Sequence, residues 1–303
     1  MPELPEVEIV RRGLEPAVAG RTIRDVRFTP EGHRLLSGAP PAAFRDALVG
    51  RRILAAHRRG KYLILPLDDG RSLIAHLRMT GRIVVEPKDA PEGSFFRAAI
   101  VLDDGNELRW RDVRRFGTWQ LLEDLSALEV KLGPEPLADG FTPAALAAAL
   151  AGRAAPVKAV LLDQRRLAGL GNIYADEALF MAGIHPARPA ASLTAHEIER
   201  LHRAVRGVLE KGLSNFGTTL RDFVNAYGQE GRNREHLLVY QRTGEPCGRC
   251  GTPVERTVIG GRGSHFCPVC QPAPGQHLLT HRAVPRGSHF CPVCQPAPAS
   301  EDA

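Results

Sequence analysis

The 303 residues are 43% hydrophobic and carry 40 Lys and Arg against 34 acids, a formal charge of +6 with a pI near 9.2. That composition excludes disorder as the default, supplies cores for two domains or a little more, and suits a polyanionic partner without requiring one. No apolar run approaches the ~18 residues of a membrane span and the start is acidic, unlike a secretory n-region, so a cytoplasmic protein without a membrane partner is expected.

The chain opens Met1 Pro2 Glu3 Leu4 Pro5 Glu6. If Met1 is trimmed, Pro2 offers a free secondary amine beside two carboxylates. An α-amino group titrates near ~7.8 and a lysine near ~10.4, so at pH 7 roughly a tenth of the former is unprotonated against well under a thousandth of the latter. Attack of that amine on a sugar C1′ gives an iminium that is cationic without protonation and acidifies the C2′ proton. Glu3 could move protons at the opening sugar, and Glu6 would share its side of a helix starting near Leu4. The same residues also read as an ordinary helix start, with proline in the first turn and acids at the positive dipole end.

Val7, Val10 and Leu14 recur at helical spacing, with Gly13 expected to weaken continuation. From Thr22 to about Leu122 short β-type runs follow, at 22–28, 53–57, 62–67, 72–78, 82–86, 97–102, 107–112 and 118–122. Asp69-Gly70 and Asp104-Gly105 separate some of them as hairpin turns would, which predicts an antiparallel sandwich or barrel. Residues 132–142 are rich in Gly and Pro and mark a boundary. Beyond it, Thr142-Pro143 reads as a helix start leading into Leu146 and Leu150. Thr194 and Glu197 form a capping box, with Leu193 and Ile198 as its staple, for a helix to about Lys211. Between them, a helix from Lys158 to Asp163, a Gly-bearing turn and a second helix from Ile173 to about Ala182 present either a phosphate site at a helix N-terminus or a plain αα-hairpin N-capped by Asn172.

All six cysteines follow residue 246. Cys247, Cys250, Cys267 and Cys270 have the C-x2-C-x16-C-x2-C spacing of a structural four-thiolate zinc site. The metal would hold a hairpin of residues 254–259 and 264–266 around Gly260-Gly261, with Arg262 able to reach phosphate. Residues 262–274 recur almost intact at 286–298, adding Cys291 and Cys294, which loop closure places second to the nearer pair. Residues 272–303 are Pro- and Ala-rich and are expected to be disordered.

Together, residues 1–8, Gly60 Lys61 Tyr62, His76 Leu77 Arg78 Met79, and residues 112–117, 168–177 and 262–270 resemble the bacterial formamidopyrimidine-DNA glycosylases of the Fpg/Nei superfamily, over about residues 1–271. The resemblance implies an α+β multidomain fold. Residues 1–131 would be an antiparallel β-sandwich with a catalytic N-terminal helix, and 132–141 a linker. A helix-two-turns-helix domain at 142–239 and a zinc finger at 240–271 would precede the tail at 272–303. It implies Pro2 as a Schiff-base nucleophile, Glu3 as the acid/base that opens the ribose, Glu6 in support and Lys61 assisting near the lesion. Met79, Arg114 and Phe116 match residues that fill the gap left by a flipped-out nucleotide. His76, Asn172, Tyr240 and Arg262 match phosphate contacts, Arg262 being counted with the catalytic set and Lys158 with the DNA-binding one. Residues 218–225 fall where the family has a loop over the extruded base, and Thr80 stands where relatives can carry an acid. The implied activity is excision of oxidised purines from duplex DNA followed by β,δ-elimination, by a monomer with one structural zinc and no small-molecule cofactor. An endonuclease VIII-like enzyme for oxidised pyrimidines and a non-catalytic zinc-containing damage-binding protein are the alternatives.

Overall fold

The structure, a computed structural model, describes residues 2–36 and 40–273. Helix α1 (Leu4–Val18) buries Val7, Val10, Leu14 and Val18. It runs straight through Gly13, where the expected weakening does not occur. A Cβ there would lie 2.8 Å from that of Ala226, so the glycine serves close packing.

The β region forms two four-stranded antiparallel sheets. One has the order β1 (Ile23–Phe28), β6 (Phe96–Leu102), β7 (Asn106–Asp112), β5 (Gly81–Pro87). The other runs β2 (His57–Arg59), β3 (Tyr62–Pro66), β4 (Ser72–His76), β8 (Thr118–Leu122). Both Asp-Gly turns lie between paired strands, with Leu65 opposite Leu73 on β3 and β4 and Val101 opposite Glu107 on β6 and β7. Gly70 and Gly105 take positive φ there, at 88° and 86°, a region that favours glycine. Leu63, Leu73, Ile100, Leu108, Trp110 and Trp119 meet Val7, Val10 and Leu14 in one core.

Two sequence expectations change here. Residues 41–48 are a helix, α2 (Pro41–Leu48), within what reads as a continuous β region; only Phe44 and Leu48 are buried on it, too few to show a period. The run at 53–57 contributes one bridge, Ile53 with Leu67, before β2 begins at its last residue.

After a single turn, α3 (Ser126–Glu129), the chain enters the helical part: α4 (Pro143–Leu150), α5 (Val157–Leu162), α6 (Asn172–Ala182) and α7 (Ala195–Ser214). Thr142 accepts from the Ala145 N–H, and Thr194 with Glu197 forms the expected capping box. α6 buries every residue from Ile173 to Phe180, including Asp176 and Glu177. Leu4 joins this second core while Val7, Val10 and Leu14 sit in the sandwich, so α1 pins the two together. Arg58 and Arg59 reinforce the junction by pairing with Glu135. A hairpin of β9 (Glu255–Ile259) and β10 (Arg262–Phe266) turns at Gly260-Gly261, both at positive φ. Among the described residues, no helix is long and apolar enough to cross a membrane. The tail from 274, with Cys291 and Cys294, lies outside them.

Candidate active site and nucleic-acid interface

The first turn of α1 is locked onto the start of α6. The Leu4 N–H donates to Gly169 O (3.0 Å), and the buried Glu3 carboxylate accepts from the N–H groups of Ile173 (2.9 Å) and Tyr174 (3.4 Å). The negative charge therefore caps the positive end of α6. Gly171 leaves the room, since a Cβ there would overlap the Glu3 carboxyl. Two expectations are corrected by this. The N-terminus of α6 is not an open phosphate site, because Glu3 takes the N–H groups of Ile173 and Tyr174; and Gly171, not Asn172, is the N-cap, without a side chain to cap with.

Glu6 is a hub. Its Oε2 accepts from the Glu3 N–H (2.8 Å), and its Oε1 from the Tyr174 hydroxyl and the Thr218 N–H (both 2.7 Å). Lys61 is buried close by: loss of water pushes its ammonium below the ordinary lysine range, while Glu3 and Glu6 act to hold it up. Burial pushes the Glu3 carboxyl up, opposed by Lys61 and helped by Glu6. Pro2 lines a cavity of about 430 Å³, walled by Met79, Arg114, Thr218, Phe223 and Tyr240.

On one side of the cavity, Asp112 ties two turns into one piece. Its Oδ1 accepts from the Thr80 hydroxyl (2.5 Å) and the Arg114 N–H (3.2 Å), and its Oδ2 from the Gly117 N–H (2.8 Å). Thr80 also accepts from the Arg114 N–H (3.0 Å), so its hydroxyl is used within the protein. Met79 and Arg114 are thereby held at the mouth, with the Arg114 guanidinium 4.7 Å above the ring of Phe116. That ring is 52% exposed, an apolar surface covered only in part by the guanidinium. His76 is buried at the end of β4. Burial, then Arg78 and Lys61, lower its pKa to about 3. Its Nδ1 accepts from the Arg78 N–H (2.9 Å), leaving Nε2–H as the donor of a neutral imidazole.

Asn172 donates to Gly263 O (3.0 Å) beside the exposed Arg262, and Tyr240 lies on the cavity wall with its ring 5.0 Å from that of His265. Lys158 is a correction. Its side chain is 0% exposed, its ammonium 2.6 Å from Asp176 Oδ1 and 2.8 Å from both Gly263 O and Ser264 Oγ. The ammonium is hydrogen-bonded to Gly263 O and Ser264 Oγ and ion-paired with Asp176 Oδ1 inside the protein, so it braces β10 against α6 and, fully enclosed, offers nothing to a phosphate. Asp176 also accepts from the N–H and Nδ1 of His265. The sequence reading missed Asp112, Tyr174, Asp176 and Asn233. For Asp176 a signal exists: an acid inside an otherwise apolar helical stretch must be paired once buried.

The four cysteine sulfurs lie within 4.8 Å of one another, at 3.9 Å for Cys247–Cys270, 3.4 Å for Cys250–Cys267 and 3.6 Å for Cys250–Cys270. Four thiolates ~2.3 Å from zinc define a tetrahedron with edges of about 3.8 Å, whereas a disulfide needs ~2.05 Å. The set fits one structural zinc ion, held by all four sulfurs with no position open for chemistry.

A four-thiolate hairpin braced against α6 and an arginine-lined cavity at Pro2 suit an enzyme acting on a polyanion, and similarity to known proteins gives the class as a DNA-repair enzyme. Family models agree: the formamidopyrimidine-DNA glycosylase N-terminal domain matches residues 1–119, its H2TH domain 132–224, and the zinc finger found in FPG and IleRS 244–273. The chain is 48% identical over 273 residues to the formamidopyrimidine-DNA glycosylase of Herpetosiphon aurantiacus, covering 89% of this chain and all of that one. It is 47% identical to that of Geobacillus kaustophilus, with the same coverages. Lactococcus lactis Fpg in complex with DNA containing an abasic site superposes with a TM-score of 0.83 at 37% identity, over 89% of this chain and all of that one. The chain belongs to the formamidopyrimidine-DNA glycosylase family. It is a DNA glycosylase, and its partner is DNA.

Proposed function

We propose that this glycosylase is bifunctional, excising oxidised purines such as 8-oxoguanine and formamidopyrimidines through a Schiff base at Pro2 and then cleaving the strand by β,δ-elimination. The observation that carries the reading is the buried cluster of Glu3, Glu6 and Lys61 around the N-terminal turn at the cavity wall. Burial raises the Glu3 pKa, the direction needed in a group that is to take up a proton and deliver it to the ribose ring oxygen. With Met1 removed, the Pro2 nitrogen attacks C1′, the base departs with the bonding electrons, and the ring opens to an iminium. Loss of the C2′ proton then expels the 3′ phosphate, and a second elimination the 5′ phosphate. Met79, Arg114 and Phe116 fill the vacated stack, while His76, Asn172, Tyr240 and Arg262 hold phosphates around the site. A non-catalytic binder would have no use for three ionisable groups enclosed beside the N-terminus.

Borohydride treatment of the protein with an 8-oxoguanine duplex should trap one covalent adduct, mapping to Pro2 by peptide mass, with both elimination products on a denaturing gel. Pro2→Gly should weaken or abolish trapping, and Glu3→Gln should stop base excision while a pre-made abasic site still reacts. Lys61, its pKa lowered by burial, is the competing amine, and an adduct there would overturn the assignment. A second reading, oxidised pyrimidines as substrates, has support in the L. lactis enzyme, also solved with an oxidised pyrimidine containing DNA. A duplex carrying such a base in the same assay decides it.

A further inference from the structure

The three donors on Glu6 arrive from three parts of the chain: the Pro2–Glu3 peptide, Tyr174 on α6, and Thr218 on the cavity wall. Behind them, donor counting fixes a direction. Asn215, at the end of α7, donates its amide to Asn233 Oδ1 (3.0 Å), which turns the Asn233 NH₂ toward Thr218 Oγ1 (2.9 Å). Having accepted there, Thr218 gives its own proton to the Tyr174 hydroxyl (3.1 Å), and Tyr174 gives its proton to Glu6 (2.7 Å). Burial, and Glu6 beside it, keep that phenol well above the ordinary tyrosine range, so it stays a donor.

The packing around this row leaves no slack. A Cβ on Gly212 would come within 2.7 Å of Tyr174 Cε1. One on Gly217, which sits at φ 83°, would meet Phe223 Cε1 at 2.8 Å and the Glu6 side chain at 3.3 Å. Thr218 and Phe223 line the same cavity as Pro2, and the Glu6 Oε2 bond fixes the plane of the peptide that follows the Pro2 nitrogen.

We propose that Asn233 and Tyr174 are positioning residues for the N-terminal nucleophile. The row Asn233, Thr218, Tyr174, Glu6 transmits the seating of the 217–223 segment, against which a base in the cavity would lie, to the peptide that aims the Pro2 nitrogen. Neither residue touches the substrate. Cooperative rows of this kind are worth more than their separate bonds, and a double-mutant cycle exposes that. The proposal rests on the reading of Pro2 as the nucleophile.

The test uses Asn233→Leu, Tyr174→Phe and the double variant of the full-length protein with zinc. It measures the single-turnover rate of 8-oxoguanine excision, the rate of borohydride trapping on an abasic duplex, and the duplex Kd. Each single change should slow both rates about tenfold, the equivalent of one net hydrogen bond, with Kd within twofold. The double variant should be no slower than the worse single, because either change breaks the same row. Rates that fall multiplicatively in the double variant, that stay at the wild-type value in the singles, or that track only the folded fraction in thermal melts would overturn the proposal. Should Asn233→Leu fail to fold, Tyr174→Phe, which removes one oxygen, decides alone. A wild-type protein that forms no Pro2 adduct would sink the proposed function, whereas a normal Pro2 adduct with variants at wild-type rates would sink only this inference.

Discussion

Replacing Lys158 by methionine keeps the length of a fully enclosed side chain and deletes its charge. Asp176, itself 0% exposed, would keep only the two bonds from His265, and Gly263 O and Ser264 Oγ would each lose a donor. Breaking a buried pair from one side leaves an uncompensated charge and costs about 3–5 kcal/mol. In urea, with an m-value near ~2 kcal/mol/M, that moves the unfolding midpoint down by roughly 2 M. Lys158→Met combined with Asp176→Asn should recover part of the loss, since the neutral amide leaves no uncompensated charge while its oxygen still accepts from His265. Duplex binding by the folded single variant, followed against salt, should keep the wild-type slope, because no phosphate charge is being neutralised by a lysine inside the protein. A slope shallower by about 0.9, the value for one lost phosphate contact, together with unchanged stability, would show that Lys158 faces DNA after all and refute its placement as a brace.

Gly171→Ala should slow base excision more than tenfold and lower the melting temperature, because φ at −131° is open to alanine but the added methyl overlaps the buried Glu3 carboxyl and must displace it; wild-type excision by the purified variant would refute the tight fit. His76, with its pKa lowered to about 3 by burial and by Arg78 and Lys61, binds a proton in the unfolded chain from about pH 6.5 downward but not in the folded one. Its contribution is whole above pH 6.5 and is lost as pH falls toward 3, by at most about 5 kcal/mol. His76→Gln should therefore flatten the rise of stability between pH 4 and 6 in urea titrations, and an unchanged slope would contradict a neutral buried imidazole. Arg262→Ala should weaken damaged and undamaged duplex alike and make the salt dependence shallower by about 0.9. Asn172→Ala, which removes no charge, should weaken both without altering the slope; a change confined to lesion preference would rule out a phosphate role for either.

What could be read from the sequence was whatever one residue's surroundings did not decide. The sandwich was legible because alternation and Asp-Gly turns are local, and the zinc site because spacing alone selects four thiolates. α2 was not, since two buried residues in eight leave no period to detect. Lys158 shows the deeper limit. On the page it is a lysine opening a helix near a Gly-rich turn, which is how a phosphate ligand would look. Its partner Asp176 stands 18 positions on, and Gly263 more than a hundred, and only folding brings them within 2.8 Å. Glu3 errs in the other direction, for the dipole end that appeared open to a phosphate is closed by a carboxylate 170 residues earlier in the chain. In both cases the charge was visible and its counter-charge was not. The side chains that satisfy buried groups are therefore the ones a linear reading omits, and here they are Asp112, Tyr174, Asp176 and Asn233, each of which holds another residue in place.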